Sequence, residues 1–174
     1  MNDDGKLDAV APDIMGAAIV VALGDGKGGL KVGATIRVKQ RPFHILLDDF
    51  NGDKKLDIAS THDDIHDVDI LLGDGQGNFA HAPGSPLNSG IQGWKMASAD
   101  LNADGHQDLM IGGQGGFRVL VGDGAGRFVA PPESNYSPNV SAWGIAAADL
   151  NKDGKIDVIV TDADKASVTV YLHK

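Results

Sequence analysis

The chain has 174 residues, a mass of 18.1 kDa and 24 acidic side chains against 15 Lys and Arg, for a formal net charge of −9. An acidic balance of that size argues against nucleic acid or an anionic membrane surface as partner, because both are held by clustered positive charge. Gly is abundant at 24 residues, aromatic residues make up 5% and Cys is absent, which describes a folded, turn-rich chain without disulfides, thiolate metal sites or a Cys nucleophile.

The length suits one domain with a sizeable core. The longest apolar run, Ile14 to Leu23, contains Gly16 and spans about half of the roughly 20 residues that a membrane-crossing helix needs. Met1 is followed by Asn2, Asp3 and Asp4, the opposite of the positive stretch that opens a signal peptide, so none is expected here.

Taken in chain order, the sequence repeats itself. Asn2, Asp4, Gly5 and Asp8 (NDDGKLD) begin an acidic pattern that returns as DFNGDKKLD at 49–57, DLNADGHQD at 100–108 and DLNKDGKID at 149–157. The marker asparagines Asn2, Asn51, Asn102 and Asn151 lie 49, 51 and 49 residues apart. A second motif keeps the same phase: LGDGKGGL at 23–30, LGDGQGNF at 72–79 and VGDGAGRF at 121–128.

Between these markers the pattern is β. Each acidic loop is followed by a short apolar run (Leu56 to Ser60, Leu109 to Gly112, Ile156 to Thr161) and then by a second (Asp69 to Leu72, Phe117 to Val121, Ser167 to Leu172). The second run leads into Gly-Asp-Gly, which predicts a two-residue hairpin turn. A third strand follows the turn, clearest at Leu30 to Val38, and a fourth precedes the next acidic loop at Phe43 to Asp48, Trp94 to Ala99 and Trp143 to Ala148.

Four short strands in a repeat of about 50 residues specify a β-propeller blade. The expected fold is therefore all-β, a propeller of four-stranded antiparallel blades. The repeats run approximately over 1–41, 42–92, 93–141 and 142–174, with 14 strands in all. The first repeat lacks its opening strand and the last lacks its closing one. This predicts about 3.5 to 4 blades per chain, as a piece of a longer array or a homo-oligomer that completes a larger ring.

The acidic loop places oxygen side chains at its positions 1, 3, 5 and 9, a turn-permitting Gly at 6 and a carbonyl at 7. Such a set suits a hard cation, Ca²⁺ above Mg²⁺; the plain alternative is a hydrophilic turn. An EF-hand would close on Glu at position 12, but Ser60, Ile111 and Val160 stand there.

The acidic loop, two strands and VGDGAGRF together resemble the FG-GAP/VCBS repeats of integrin-α-type calcium-binding β-propellers. The resemblance covers essentially the whole chain; it departs in lacking the literal Phe-Gly and Gly-Ala-Pro pieces and in placing Lys54 where Gly belongs. It implies that the loop joins the first two strands of each blade. It also implies three ligand sets: Asp49, Asn51, Asp53 and Asp57; Asp100, Asn102, Asp104 and Asp108; and Asp149, Asn151, Asp153 and Asp157. The carbonyls of Lys55, His106 and Lys155 would complete them, and Asn2, Asp4, Lys6 and Asp8 would form a partial fourth set. The implied role of the cation is a structural staple, and the implied location is extracellular or at a cell surface.

Eleven of the 24 acidic side chains lie at these ligand positions, and four bound dications would bring the formal charge from −9 to −1.

Phe43, Trp94 and Trp143 each stand six residues before the first Asp of their loop, in phase with Ile45 and Leu47, Met96 and Ser98, or Ile145 and Ala147. They belong to one alternating face that either packs between blades or offers a stacking platform to a sugar. His62, Asp63, Asp64, His66, Asp67 and Asp69 crowd one connection of the second repeat, as a solvated loop or an extra metal site. No nucleophile motif accompanies the lone Ser, His and Asp residues, and His44, His81 and His173 read as polar strand or loop residues.

Three functional readings follow. The first is a noncatalytic propeller that presents loops to a glycan or protein ligand. The second is the propeller portion of a secreted carbohydrate-active enzyme such as a polysaccharide lyase. The third is an engineered or excised unit that self-assembles into a ring.

Overall fold

A computed structural model describes residues 1–62, 64–136 and 140–173, apart from the side chain of Asn135. Every regular element in it is a β-strand. Among the described residues no helix is long and apolar enough to cross a membrane.

Among the described residues, sixteen strands form four antiparallel sheets that follow one another along the chain. The first sheet holds β1 (Ala9–Asp13), β2 (Ala18–Gly24) and β3 (Leu30–Arg37). The second holds β4 (Pro42–Asp48), β5 (Asp57–His62), β6 (Asp67–Gly73), β7 (Phe79–His81) and β8 (Leu87–Asn88). The third repeats it with β9 (Gly93–Ala99), β10 (Asp108–Gly113), β11 (Gly116–Gly122), β12 (Phe128–Val129) and β13 (Asn135–Tyr136). The fourth has β14 (Ala142–Ala148), β15 (Asp157–Asp162) and β16 (Ser167–Tyr171). This is a partial β-propeller.

The count exceeds the expected 14 because the outer strand of the second and third sheets is broken in two. Pro83 and Pro86 interrupt one, Pro131 and Pro132 the other. Proline supplies no amide to a ladder, so the strand leaves its partner and rejoins it. Both halves pair with the same neighbour, β7 and β8 with β6, and β12 and β13 with β11.

The turn into the outer strand also differs from the two-residue hairpin expected. It spans five residues and closes on its aspartate. In the third sheet the Asp123 amide donates to the Arg127 carbonyl at 3.1 Å, while the amides of Ala125 and Arg127 donate to Asp123 Oδ1 at 2.8 and 3.1 Å. These amides hold the Asp123 carboxyl below the usual range. The turn is an Asx-type loop, which Gly-Asp-Gly serves as well as it serves a tight hairpin.

Strands β5 and β10 are buried at every residue, since each is covered by a strand on either side and by a neighbouring sheet on each face. The core runs between the sheets. Val68, Ile70 and Phe50 of the second pack against Leu109, Leu120 and Phe128 of the third, and Ile19 and Val21 of the first pack against Ile58 and Leu71 of the second. The strand β9 packs against both β4 and β14, so the first strands of successive sheets adjoin one another along the inner side. Ser98 reinforces this seam by donating its hydroxyl to Asp48 Oδ2 at 2.5 Å.

Candidate functional site

The four acidic connections share one backbone. The first precedes β1 and the others precede β5, β10 and β15, and positions 4 and 6 take positive φ in every copy: Asp3 and Gly5, Gly52 and Lys54, Ala103 and Gly105, Lys152 and Gly154. One glycine serves two left-handed positions in each loop. In the second loop it sits at position 4 instead of 6, so Lys54 at φ 65 stands in for the missing glycine and the loop keeps its path.

The backbone converges on the acidic side chains. In the second loop Asp49 accepts the amides of Gly52 at 2.7 Å, Asp53 at 3.2 Å and Lys54 at 2.7 Å, while Asn51 Oδ1 accepts from Asp53 at 2.9 Å and Asp53 Oδ1 from Lys55 at 2.9 Å. The third and fourth loops match one another closely. Asp100 and Asp149 each accept two amides at 3.1 and 2.9 Å, and Asn102 and Asn151 each accept one at 2.9 Å. Asp104 and Asp153 accept the amides of His106 and Lys155 at 2.9 Å, which draws both carboxyls below the usual range. The first loop keeps only Asp4 and Asn2 in these roles, with Lys6 donating to Asp4 at 3.0 Å and Asp4 to Asn2 at 3.4 Å.

Position 9 behaves differently. Asp57 is fully buried and takes the Phe50 amide on Oδ2 at 2.9 Å and the Gly73 amide on Oδ1 at 2.8 Å. Asp108 does the same with Leu101 and Gly122 at 3.0 and 2.9 Å, and Asp157 with Leu150 and His173 at 3.0 and 2.9 Å. Asp8 pairs with the amino group of Met1 at 3.3 Å and the Gly24 amide at 2.9 Å. In Asp57, Asp108 and Asp157 both oxygens are thus engaged by backbone amides, one within the loop and one at the end of the third strand of the repeat, which ties the two together. Burial pushes the Asp57 and Asp108 carboxyls up against the pull of those amides, and two nearby acids, Asp53 and Asp49 or Asp104 and Asp100, push the same way.

The loops therefore bring anionic oxygens close enough to repel. Among the described residues no group of three or more His, Cys, Asp or Glu side chains is placed to hold a metal by itself. A cation in these loops would draw on Asn oxygens and main-chain carbonyls beside the carboxylates, a hard all-oxygen set that fits Ca²⁺. Position 9 serves first as a clasp, with one free lone pair left on each oxygen.

The three aromatics sit where the ladder of the inner strand slips. Pairing shifts between Pro42 and Ile45, between Gly93 and Lys95, and between Ala142 and Gly144, so Phe43, Trp94 and Trp143 all fall in bulges. The expected period-two alignment with Ile45 and Leu47 does not pass through a bulge, which re-aims the side chain it carries. Trp94 and Trp143 stack across the sheet boundary, ring centroids 4.7 Å apart and planes at 28°. Trp143 remains 49% exposed. One aromatic thus packs between blades while its partner keeps a face to solvent. Phe43 is half-buried.

The histidine and aspartate crowd of the second sheet divides instead of converging. His62 and Asp69 are fully buried and meet at 2.7 Å from Nε2 to Oδ2, so these two are core residues and not part of a solvated loop. His81 Nδ1 approaches Asp69 Oδ1 at 3.2 Å. Asp64 pairs with Arg41 at 3.3 Å and Asp67 with Lys39 at 3.1 Å, and the His66 carbonyl accepts from Ser89. Asp63 lies outside the described residues. His44 is half-buried on β4, and burial, with Lys95 nearby, depresses its imidazole to about 4. His173 follows β16, in the place that Gly24, Gly73 and Gly122 hold in the other repeats.

Sequence reasoning missed the buried His62–Asp69 pair and the bulges. Val68 and Ile70 on either side of Asp69 were the available sign of the first, while His62, between Thr61 and Asp63, carried none; the bulges have no marker of their own.

The FG-GAP-like repeat family model matches residues 49–111 and 100–160, which together make up well over half of the chain. No curated protein matches the chain. Among solved structures it is similar to an Agrocybe aegerita lectin described for its specific recognition of non-reducing terminal N-acetylglucosamine, with 24% identity and a TM-score of 0.52. The match covers 88% of this chain and 46% of the lectin chain, so the chain spans about half the length of that structure.

Proposed function

From a chain that belongs to the FG-GAP-like repeat family, we infer a noncatalytic β-propeller binding module, stabilised by Ca²⁺ in its acidic loops and presenting aromatic side chains to a glycan, in an extracellular setting.

The observation that carries this reading is the repetition of one loop geometry with one donor set. Asp49, Asn51 and Asp53, Asp100, Asn102 and Asp104, and Asp149, Asn151 and Asp153 would hold the ion together with the carbonyls of Lys55, His106 and Lys155. When bound, Ca²⁺ offsets the repulsion among the carboxylates of a loop. The chain's own amides already pre-arrange positions 1, 3 and 5, so little ordering cost is left for binding. Position 9 passes the order of the loop to the sheet, because its carboxylate ties the loop to the third strand of the repeat.

The glycan reading rests on the exposed face of Trp143, which its bulge turns out of the ladder and Trp94 backs. An aromatic face of this kind stacks on the apolar C–H face of a pyranose. The likeness to a lectin structure supports the reading.

Trp94 and Trp143 are the only tryptophans of the chain, so its tryptophan emission reports directly on this pair. Titration with N-acetylglucosamine and a panel of neutral and acidic oligosaccharides is expected to shift that emission saturably, and Trp143→Ala to abolish binding. An unchanged emission with every sugar would contradict the glycan reading.

A further inference from the structure

The acidic loops differ at position 7, which offers a cation only its carbonyl. The residue there is Lys6, Lys55, His106 and Lys155 in turn. In the first three repeats its side chain lies across the second glycine of the Gly-Asp-Gly turn. A Cβ on Gly26 would stand 3.3 Å from Lys6 Cδ, a Cβ on Gly75 would stand 3.1 Å from Lys55 Cδ, and a Cβ on Gly124 would collide with the His106 ring.

The lysines then turn back onto their own loop. Lys6 Nζ reaches Asp4 Oδ2 at 3.1 Å and Lys55 Nζ reaches Asp53 Oδ2 at 3.4 Å, in both cases the carboxylate of position 5. In the fourth loop the Lys155 amide, then Asn151 and the Lys155 charge, draw the Asp153 carboxyl below its usual range. His106 rests its ring against Gly124 and brings no ammonium to Asp104.

Charge therefore separates loops whose oxygen donors are the same. DFNGDKKLD and DLNKDGKID each hold three aspartates and two lysines, a formal −1, whereas DLNADGHQD holds three aspartates and no Lys or Arg, a formal −3. Resting on the calcium reading above, we propose that the position-7 lysine is a tethered counter-ion that competes with the incoming cation, so that His106 makes the third loop the tightest site and the first to fill. An ammonium held at the position-5 carboxylate has to be displaced by the dication, or stays and repels it. The affinity of a hard-cation loop follows the charge of its site.

The test is calcium titration of the isotope-labelled, metal-free full chain, read by NMR at the backbone amides of Lys54, Gly105 and Gly154, the three position-6 residues. The fourth loop is the cleaner comparator, because it shares Gly at position 6 with the third. At low salt and about pH 8, where an ordinary imidazole is neutral, Gly105 should reach its midpoint at about one-fifth of the free Ca²⁺ that Gly154 and Lys54 need. Lys55→Gln and Lys155→Gln should each tighten their own loop about threefold, and His106→Lys should loosen the third by as much. Added salt should narrow the spread, because it screens the lysine from the site. An unchanged amide spectrum of each metal-free variant shows that the fold is kept. Midpoints within about twofold of one another, a third loop that fills after the fourth, or midpoints that the lysine and histidine variants do not move overturn the proposal and leave the calcium reading in place. A titration that shifts none of the three amides overturns both.

Discussion

The amide of Gly126 donates to the carbonyl of Phe50 at 3.1 Å, across the boundary between the second and third sheets. The amide of the same Phe50 is held by Asp57, the last acid of its loop, at 2.9 Å. One residue therefore joins an acidic loop to the neighbouring blade, and the order of the loop is coupled to the packing between blades. The Met1 carbonyl and Gly77 repeat the bond one blade earlier.

Gly126→Ala is expected to destabilise the protein by about 2 kcal/mol, since it places a Cβ against Leu72 at a φ of 79. Phe128→Ala should cost roughly 3–5 kcal/mol as a core aromatic deletion. Urea denaturation measures both. A loss under 0.5 kcal/mol for either would mean that the blades do not depend on this contact.

Lys54→Gly should stabilise the second loop by about 1 kcal/mol, because lysine at φ 65 carries the left-handed penalty that glycine avoids. Gly52→Ala should act in the opposite direction. A melting temperature unchanged by either substitution would show that the loop relaxes away from this conformation.

His62 sits between two acceptors, the Gln40 carbonyl at 3.2 Å and the Asp69 carboxylate at 2.7 Å. His62→Leu removes the buried partner of Asp69 and leaves it only the half-exposed His81, so it should cost about 3–5 kcal/mol, more than the double variant His62→Leu/Asp69→Leu. Equal losses in the two variants would refute the coupling.

His44 gives the protein an acid-sensitive component. Its folded value of about 4 lies below the unfolded 6.5, so the unfolded chain takes the proton first. Its contribution is complete above pH 6.5 and is lost as pH falls toward 4. The urea midpoint of the wild type should drop more between pH 7.5 and 4.5 than that of His44→Leu. Parallel profiles would exclude His44 as a cause.

Much of this architecture is written locally. The acidic loop recurs every 49 to 51 residues, and the strands that flank it are mostly apolar, β-branched or small, with His44, His62 and Lys95 among the exceptions. Those signals place the four sheets and the inner strands to within a residue or two. What escaped the sequence is set by tertiary contact. Pro83 and Pro86 split an outer strand only because that strand needs ladder amides from those positions. The bulge at Trp94 depends on how β9 meets β10, and nothing in the sequence of β9 alone marks it. The burial of His62 and Asp69 follows from the sheets packed over β5 and β6. The acidic loops show both sides: their donor types are plain in the motif, while the clasping role of Asp57 requires the amides of Phe50 and Gly73, one of them 16 residues away.

The central claim, that the acidic loops are cation sites coupled to the packing of the blades, is tested most directly by calcium titration of the metal-free chain with calorimetry and thermal unfolding. Binding at the three complete loops is expected, with about 2.7 kcal/mol of stabilisation per site once free Ca²⁺ reaches a hundredfold of its dissociation constant. EDTA should reverse it, and Asp100→Asn and Asp149→Asn should each remove one site. A chain that binds no calcium and melts at the same temperature with Ca²⁺ or EDTA would contradict the account.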